Sequence, residues 1–480
     1  MTTDLTWLDA VGHAELVASG KASPRELVDA AIARIEKLDG RLNAVVTPLY
    51  EKARAEASGA LPNGPFKGVP FLMKDLVAAR AGDPIYNGNR VMKAMDLRSP
   101  ITAYLAQRYV EAGLIVLGKS ATPEFGLQPT TEAVAYGATH NPWDLSRSPG
   151  GSSGGAGAAV ASGMVPIGHG GDGGGSIRIP ASACGLVGLK PSRGRNSAGP
   201  LAGELWNGLA CEHVLTRSVR DTATVLDATQ GYMPGDPYAT PDPERPFAEE
   251  ARRAPGKLRI AFMDRSPSGI APVHADCRAA VHDAARLLES LGHTVELRHP
   301  EALDDPGYAR TLLVIIASQT EALVEILSGQ LGRRKGSGDF ELWTWALVEE
   351  GRRQTKLDFM AAVEWRNVLS RGFGALYASG YDLFLTPTLG QPPSPLGHFA
   401  PAPDAPMATW SKLLEFIPFT PAQNITGEPA ISLPLYWNAA GLPIGVQLVA
   451  PWAREDLLIR IAAQLEQARP WRDRHPPLHA

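Results

Sequence analysis

Cysteine is scarce in this 480-residue chain: Cys184, Cys211 and Cys277 are odd in number and far apart. That spacing offers neither a disulfide framework nor a zinc knot, and it fits a reducing, cytoplasmic setting. The eleven histidines are equally dispersed, with none beside a cysteine pair, so no metal site is expected. Basic residues form no stripe. Net charge is -4, and the one short knot, Arg333-Arg334-Lys335, reads as a solvated loop. A nucleic-acid footprint is therefore not expected. Long apolar runs are also missing. "TLLVIIAS" (311–318) is too short to cross a bilayer and reads as a buried helix, and the N-terminus carries acids where a signal peptide needs basic residues. No membrane partner is expected.

Glycine and proline are abundant, at 49 and 41 residues, which predicts many ordered, tightly shaped loops. Residues 23–40 predict a helix: Ser23 as N-cap, Pro24 in the first turn, Glu26 closing a capping box, and Gly40 as the stop. Residues 455–469 predict another, ended by Pro470. Between them lie short strand-type runs at 69–73, 114–118, 259–263, 382–385, 430–435 and 444–449, alternating with helical stretches around 101–112 and 275–291. This alternation predicts an α/β fold with a sheet covered by helices on both faces. The Pro-rich stretch 386–406 reads as an ordered surface crossing.

The densest glycine run is "GHGGDGGGSIRIP", Gly168 to Pro180. Gly168, Gly170 and Gly173 fit a dinucleotide GxGxxG, but "SIRIP" reads as alternation stopped by proline rather than a helix start, and no acid follows about twenty residues on. A phosphate loop needs Gly-Lys-Ser/Thr, which is absent. "GGSSG" (150–154) matches the GxSxG elbow, yet the "HGG" of His169 to Gly171 follows it instead of preceding it. What remains is serines in two glycine loops, Ser152 and Ser153 in one and Ser176 in the next. The small-residue stretch 156–163 between them suits a tightly packed helix, with a strand after it. A serine hydroxyl needs a base. Lys74 ends the apolar run "GVPFLMK", where desolvation favours the neutral amine, although a surface lysine at a strand end has the same pattern. Asp75 should face the opposite side.

These residues sit within longer motifs: "GVPFLMKDL" (68–76), "GKSATPEFG" (118–126), "NPWDLSRSPGGSSGG" (141–155), "GDGGGSIRIPASACGLVGLKPSRGR" (171–195), "HVLTRSVRDTA" (213–223), "LTPT" (385–388) and "NITGEPAISLPL" (424–435). Over nearly its whole length the chain resembles the amidase signature family of serine hydrolases. The resemblance implies one amidase signature domain over 1–480, with its core at about 60–225 and a variable, substrate-shaping region at about 230–420. It implies a Ser176 nucleophile, a Lys74 base, and Ser152 between them, held by a cis peptide bond. Backbone N–H groups of Gly173, Gly174, Gly175 and Ser176 match the oxyanion hole, and Gly126, Leu127 and Gln128 match a substrate-binding loop.

Ser153 is expected to hold its loop, Asp172 and Arg178 to brace the glycines as a pair, and Cys184 and His169 to be structural. Two departures from the family pattern stand out: Gly171 in place of the Thr of Gly-Thr-Asp, and Ala121 where many members have Asn. The "DGGGSIRIP" form resembles the branch acting on man-made and aryl amides. The implied activity is hydrolysis of small, largely apolar amides or anilides without a cofactor, with carbamates and nylon-type oligoamides as alternatives. "TPEF" (122–125) argues against an amidotransferase subunit, and the intact trio argues against a binding-only protein. The implied partners are a small-molecule amide, anilide or carbamate and water, with a homodimer left open. Trp343, Trp345, Trp410 and "EFIPF" (415–419) read as core.

Overall fold

A computed structural model describes residues 5–330 and 336–480. The basic knot at 333–335 lies outside the described residues. Ser23 caps the helix Pro24–Leu42: its Oγ accepts from the Glu26 N–H at 3.2 Å and the Glu26 carboxylate accepts from the Ser23 N–H at 2.7 Å. The helix runs through Gly40, two residues beyond the expected stop. Asn43 ends it instead, in the left-handed region with its N–H on the Asp39 carbonyl, because a glycine inside a helix weakens it without breaking it.

The strand-type runs become Pro70–Lys74, Ile115–Ser120, Arg259–Phe262, Leu383–Pro387, Ala430–Trp437 and Pro443–Val449. They join others in one mixed sheet of eleven strands. Its order, named by first residue, is Val45, Ile115, Pro70, Ile167, Cys211, Val187, Ala430, Pro443, Leu383, Arg259 and Thr294. On one face Cys277, Val281 and Leu288 of Ala275–Ser290 and Leu458, Ile461 and Leu465 of Glu455–Ala468 pack against Leu433, Val446 and Leu448. On the other, Val28, Ile32 and Ile35 meet the small residues of Gly154–Ala161. All-small composition lets that helix lie close to the sheet: a Cβ on Gly155 would fall 2.2 Å from the Ala121 nitrogen.

Two sequence expectations fail here. The residues after the glycine run form a helix, Arg178–Cys184, with Pro180 in its first turn, where a missing N–H leaves no bond unmade. The run 311–318 belongs to the 23-residue helix Tyr308–Gln330, which by length and composition is apolar enough to cross a membrane. Its Leu312 and Val324 are buried, while Ile316 and Leu323 face an internal cavity.

Candidate active site

Sheet register assembles the site. Pro70–Lys74 runs parallel to Ile167–Asp172, with Leu72 opposite Gly168. Ile167–Asp172 pairs antiparallel with Cys211–Thr216, with Gly171 opposite Glu212. The ends of these strands bring Lys74, Gly171 and Glu212 to one wall of a cavity of about 740 Å³. Ser152 and Ser176 line the same cavity.

Lys74 is buried, and its Nζ lies 2.7 Å from Ser152 Oγ and 3.5 Å from the Gly171 carbonyl oxygen. Burial lowers its pKa from 10.5 to about 7, with the Glu212 and Asp172 carboxylates opposing the shift. A large share of Lys74 is therefore neutral near pH 7, where a free lysine is almost fully charged. Asp75 turns away from the cavity and accepts from Tyr86 N–H at 2.9 Å, Gly88 N–H at 3.3 Å and the Tyr136 hydroxyl at 2.8 Å. The Gly151–Ser152 peptide is cis. Ser153 stitches the loops together: its N–H donates to the Ser176 carbonyl at 3.3 Å and its Oγ to the Gly171 carbonyl at 3.3 Å.

The glycine run is braced by a fully buried pair. Asp172 accepts from Arg178 Nε at 2.9 Å and Nη2 at 2.8 Å, from Gly175 N–H at 2.8 Å and from Asn424 Nδ2 at 2.9 Å. Burial alone would raise the Asp172 pKa, but the Arg178 charge and these donors pull it down to about 2. Gly175 is thereby distinguished from its neighbours. Its N–H is committed to Asp172, whereas the N–H groups of Gly173, Gly174 and Ser176 have no acceptor among the described residues. Gly175 sits at φ +130°, and a Cβ there would meet Thr420 Oγ1 at 2.4 Å. Thr420 in turn donates to the Gly174 carbonyl at 2.8 Å.

Gly126, Leu127 and Gln128 line the cavity as expected. Gly126 approaches Ser152 so closely that a Cβ would stand 3.1 Å from Ser152 Oγ. Trp343 and Trp410 belong to or pack on a buried core cluster, as expected, and also line the cavity. Trp343 is buried yet has one edge on the cavity, and its indole N–H donates to the Leu127 carbonyl at 3.0 Å. Of the "EFIPF" segment, Ile417 reaches the cavity; Trp345 instead stacks on Phe340. Trp206, Thr420, Asn424 and Glu212 escaped the sequence reading. The only signal for Glu212 was an acid inside the apolar strand "CEHVLT". Cys184 is buried and free, and His213, buried far from any serine contact, is held neutral with its pKa lowered to about 3.

Among known proteins, residues 26–459 match the family model described as Amidase. A 6-aminohexanoate-cyclic-dimer hydrolase of Pseudomonas sp. (strain NK87) is 42% identical over 479 residues, covering 98% of this chain and 97% of that protein. A solved structure of 6-aminohexanoate cyclic dimer hydrolase complexed with substrate superposes with a TM-score of 0.95 at 41% identity and full coverage of both chains. A bacterial aryl acylamidase of the amidase signature family follows at TM-score 0.87 and 28% identity, covering 97% of each.

Proposed function

Because the chain belongs to the amidase family, we propose that it hydrolyses the C–N bond of small, largely apolar amides through a Ser176 acyl-enzyme, with Lys74 and Ser152 moving the protons. The 2.7 Å contact between a buried, neutral-leaning Lys74 amine and Ser152 Oγ carries this reading.

The neutral amine takes the Ser152 hydroxyl proton while Ser152 Oγ takes the proton of Ser176 Oγ, and Ser176 Oγ bonds to the amide carbon. The carbonyl oxygen becomes an oxyanion facing the N–H groups of Gly173, Gly174 and Ser176. Removing one such donor typically lowers the rate by about a hundredfold or more. Collapse breaks the C–N bond as Ser152 passes a proton to the leaving nitrogen and recovers one from Lys74. Water then gives its proton along the same route, attacks the acyl-enzyme and releases the acid, with Ser176 reprotonated.

The cavity walls limit the substrate class. Leu127, Leu312, Ile316, Leu323, Trp343 and Leu413 offer mainly apolar contact. Anilides and cyclic or linear oligoamides of aliphatic amino acids fit those walls. Similarity to an enzyme named for a 6-aminohexanoate cyclic dimer supports the oligoamide class. Two experiments test the proposal. Ser176→Ala should abolish both hydrolysis and labelling by a fluorophosphonate, and persistent labelling would place the nucleophile elsewhere. A panel of aliphatic amides, anilides, carbamates and cyclic or linear amide oligomers should show highest kcat/KM on an apolar amide; a preference for small polar amides would refute the substrate class.

A further inference from the structure

We propose that Glu212 and His169 form a buried positioning pair for Lys74, in which His169 anchors the main chain carrying the lysine and the Glu212 carboxylate, on the same cavity wall, stabilises the ammonium form of its amine. The inference rests on the reading of Lys74 as the base.

The geometry is a chain of contacts across three strands. The Lys74 backbone N–H lies 3.4 Å from His169 Nδ1, which must therefore be the accepting, unprotonated nitrogen. The ring proton is left on Nε2, which lies 3.2 Å from Glu212 Oε1, a close electrostatic contact whose geometry falls short of a hydrogen bond. His169 is completely buried, and burial lowers its pKa against the opposing pull of Glu212, which keeps the ring neutral and this tautomer in place. Tyr109 closes the other side, with its ring edge-on to His169 at 5.7 Å and its hydroxyl donating to the His213 carbonyl at 3.1 Å.

Glu212 stands apart from the other charges near Lys74. Asp172 is neutralised by Arg178 and held by Asn424. Asp75 faces away and is held by Tyr86, Gly88 and Tyr136. Lys119 and Lys190 are buried in neighbouring strands, where burial lowers the pKa of each, and neither pairs with Glu212. Beyond its contact with His169, the Glu212 side chain has no donor among the described residues, yet it is nearly buried and shares the cavity wall with Lys74. An uncompensated carboxylate in such a place is expensive unless a positive charge appears beside it. Lys74 becomes that charge each time it accepts the Ser152 proton. Glu212 thus stabilises the ammonium formed during acylation, and His169 keeps the carboxylate and the lysine backbone in register.

An opposite charge within about 4–6 Å typically raises a lysine pKa by about 1–3 units. The acid limb of kcat/KM should therefore move down by about one pH unit in Glu212→Gln, and by less in Glu212→Asp, which keeps the charge. A purely structural role moves no limb. The rate of fluorophosphonate labelling at Ser176 reads the same profile on the folded fraction of a poorly folding variant. A Gln limb that stays in place, or equal shifts in Gln and Asp, overturns the assignment of Glu212. A wild-type profile with no acid limb removes the Lys74 reading itself, and this inference with it. The double variant His169→Leu/Glu212→Gln should lose less labelling rate than the two singles multiplied; multiplicative losses would dissolve the pair.

Discussion

Lys74→Met isolates the consequence of burying an amine for chemistry. The folded protein holds Lys74 at about 7 against 10.5 for the free side chain. The unfolded chain therefore binds a proton that the folded chain releases, and stability rises with pH between these two values. Below about 7 the penalty is fully present; it fades as pH climbs toward 10.5. Integrating that difference gives a penalty of about 4 kcal/mol at pH 7 and about 1 kcal/mol at pH 9.5. Methionine carries no charge and has similar length. It gives up the contact with Ser152, worth about 1 kcal/mol. The variant should thus be more stable than wild type by about 3 kcal/mol at pH 7 and by under about 1 kcal/mol at pH 9.5. Urea unfolding followed by tryptophan fluorescence at both pH values checks this, because titrating groups that do not interact with Lys74 cancel in the comparison. Turnover should vanish in the same protein. A stability gap that does not narrow with pH would refute the claim that burial keeps Lys74 neutral, and a Met variant with near-normal activity would refute its role as base.

Other outcomes follow from the same geometry. Wild-type activity should fall as pH drops below about 7, where Lys74 becomes protonated; a flat pH–rate profile from pH 5 to about 9 would count against a lysine base. Asp172→Ala leaves the Arg178 guanidinium buried without its counter-charge and should lose about 3–5 kcal/mol in denaturant unfolding; a loss under about 1 kcal/mol would show that Asn424, Gln423 and Gln447 suffice. Gly175→Ala forces a Cβ against Thr420 at φ +130° and should lower both stability and kcat, and an unchanged melting curve would contradict the tight fit. Leu323→Trp narrows the cavity, so kcat/KM for a bulky cyclic amide should fall at least about tenfold more than for acetanilide, a factor that corresponds to about 1.4 kcal/mol. Equal losses on both substrates would mean that the helix Tyr308–Gln330 does not select substrate.

Local physics was legible in the chain. Ser23, Glu26 and Pro24 encode a helix start through bonds within one turn, and the strand-type runs reach the sheet within a few residues of their expected ends. The pairing of Asp172 with Arg178 was also readable, since six residues separate them across one glycine loop. The helix after Ser176 was misread because alternation and a proline suggest a strand stop, while the actual fold uses Pro180 inside a first turn. The cavity walls were not legible for a related reason: Trp343 and Trp410 are apolar and largely covered whether they face a core or a cavity, so composition does not separate the two.

The sequence by itself determined most element types, the glycine-rich loops that carry Ser152 and Ser176, and the family to which their motifs belong. Only tertiary structure decided that Gly175 gives its N–H to Asp172, that burial lowers the Lys74 pKa to about 7, and that His169 stands between the Lys74 main chain and Glu212. The reason is range. Helix caps and turns are decided by bonds across a few residues, whereas desolvation and electrostatic pairing depend on which strands lie side by side. That order places residues 74, 169 and 212 together although well over a hundred positions separate the first from the last.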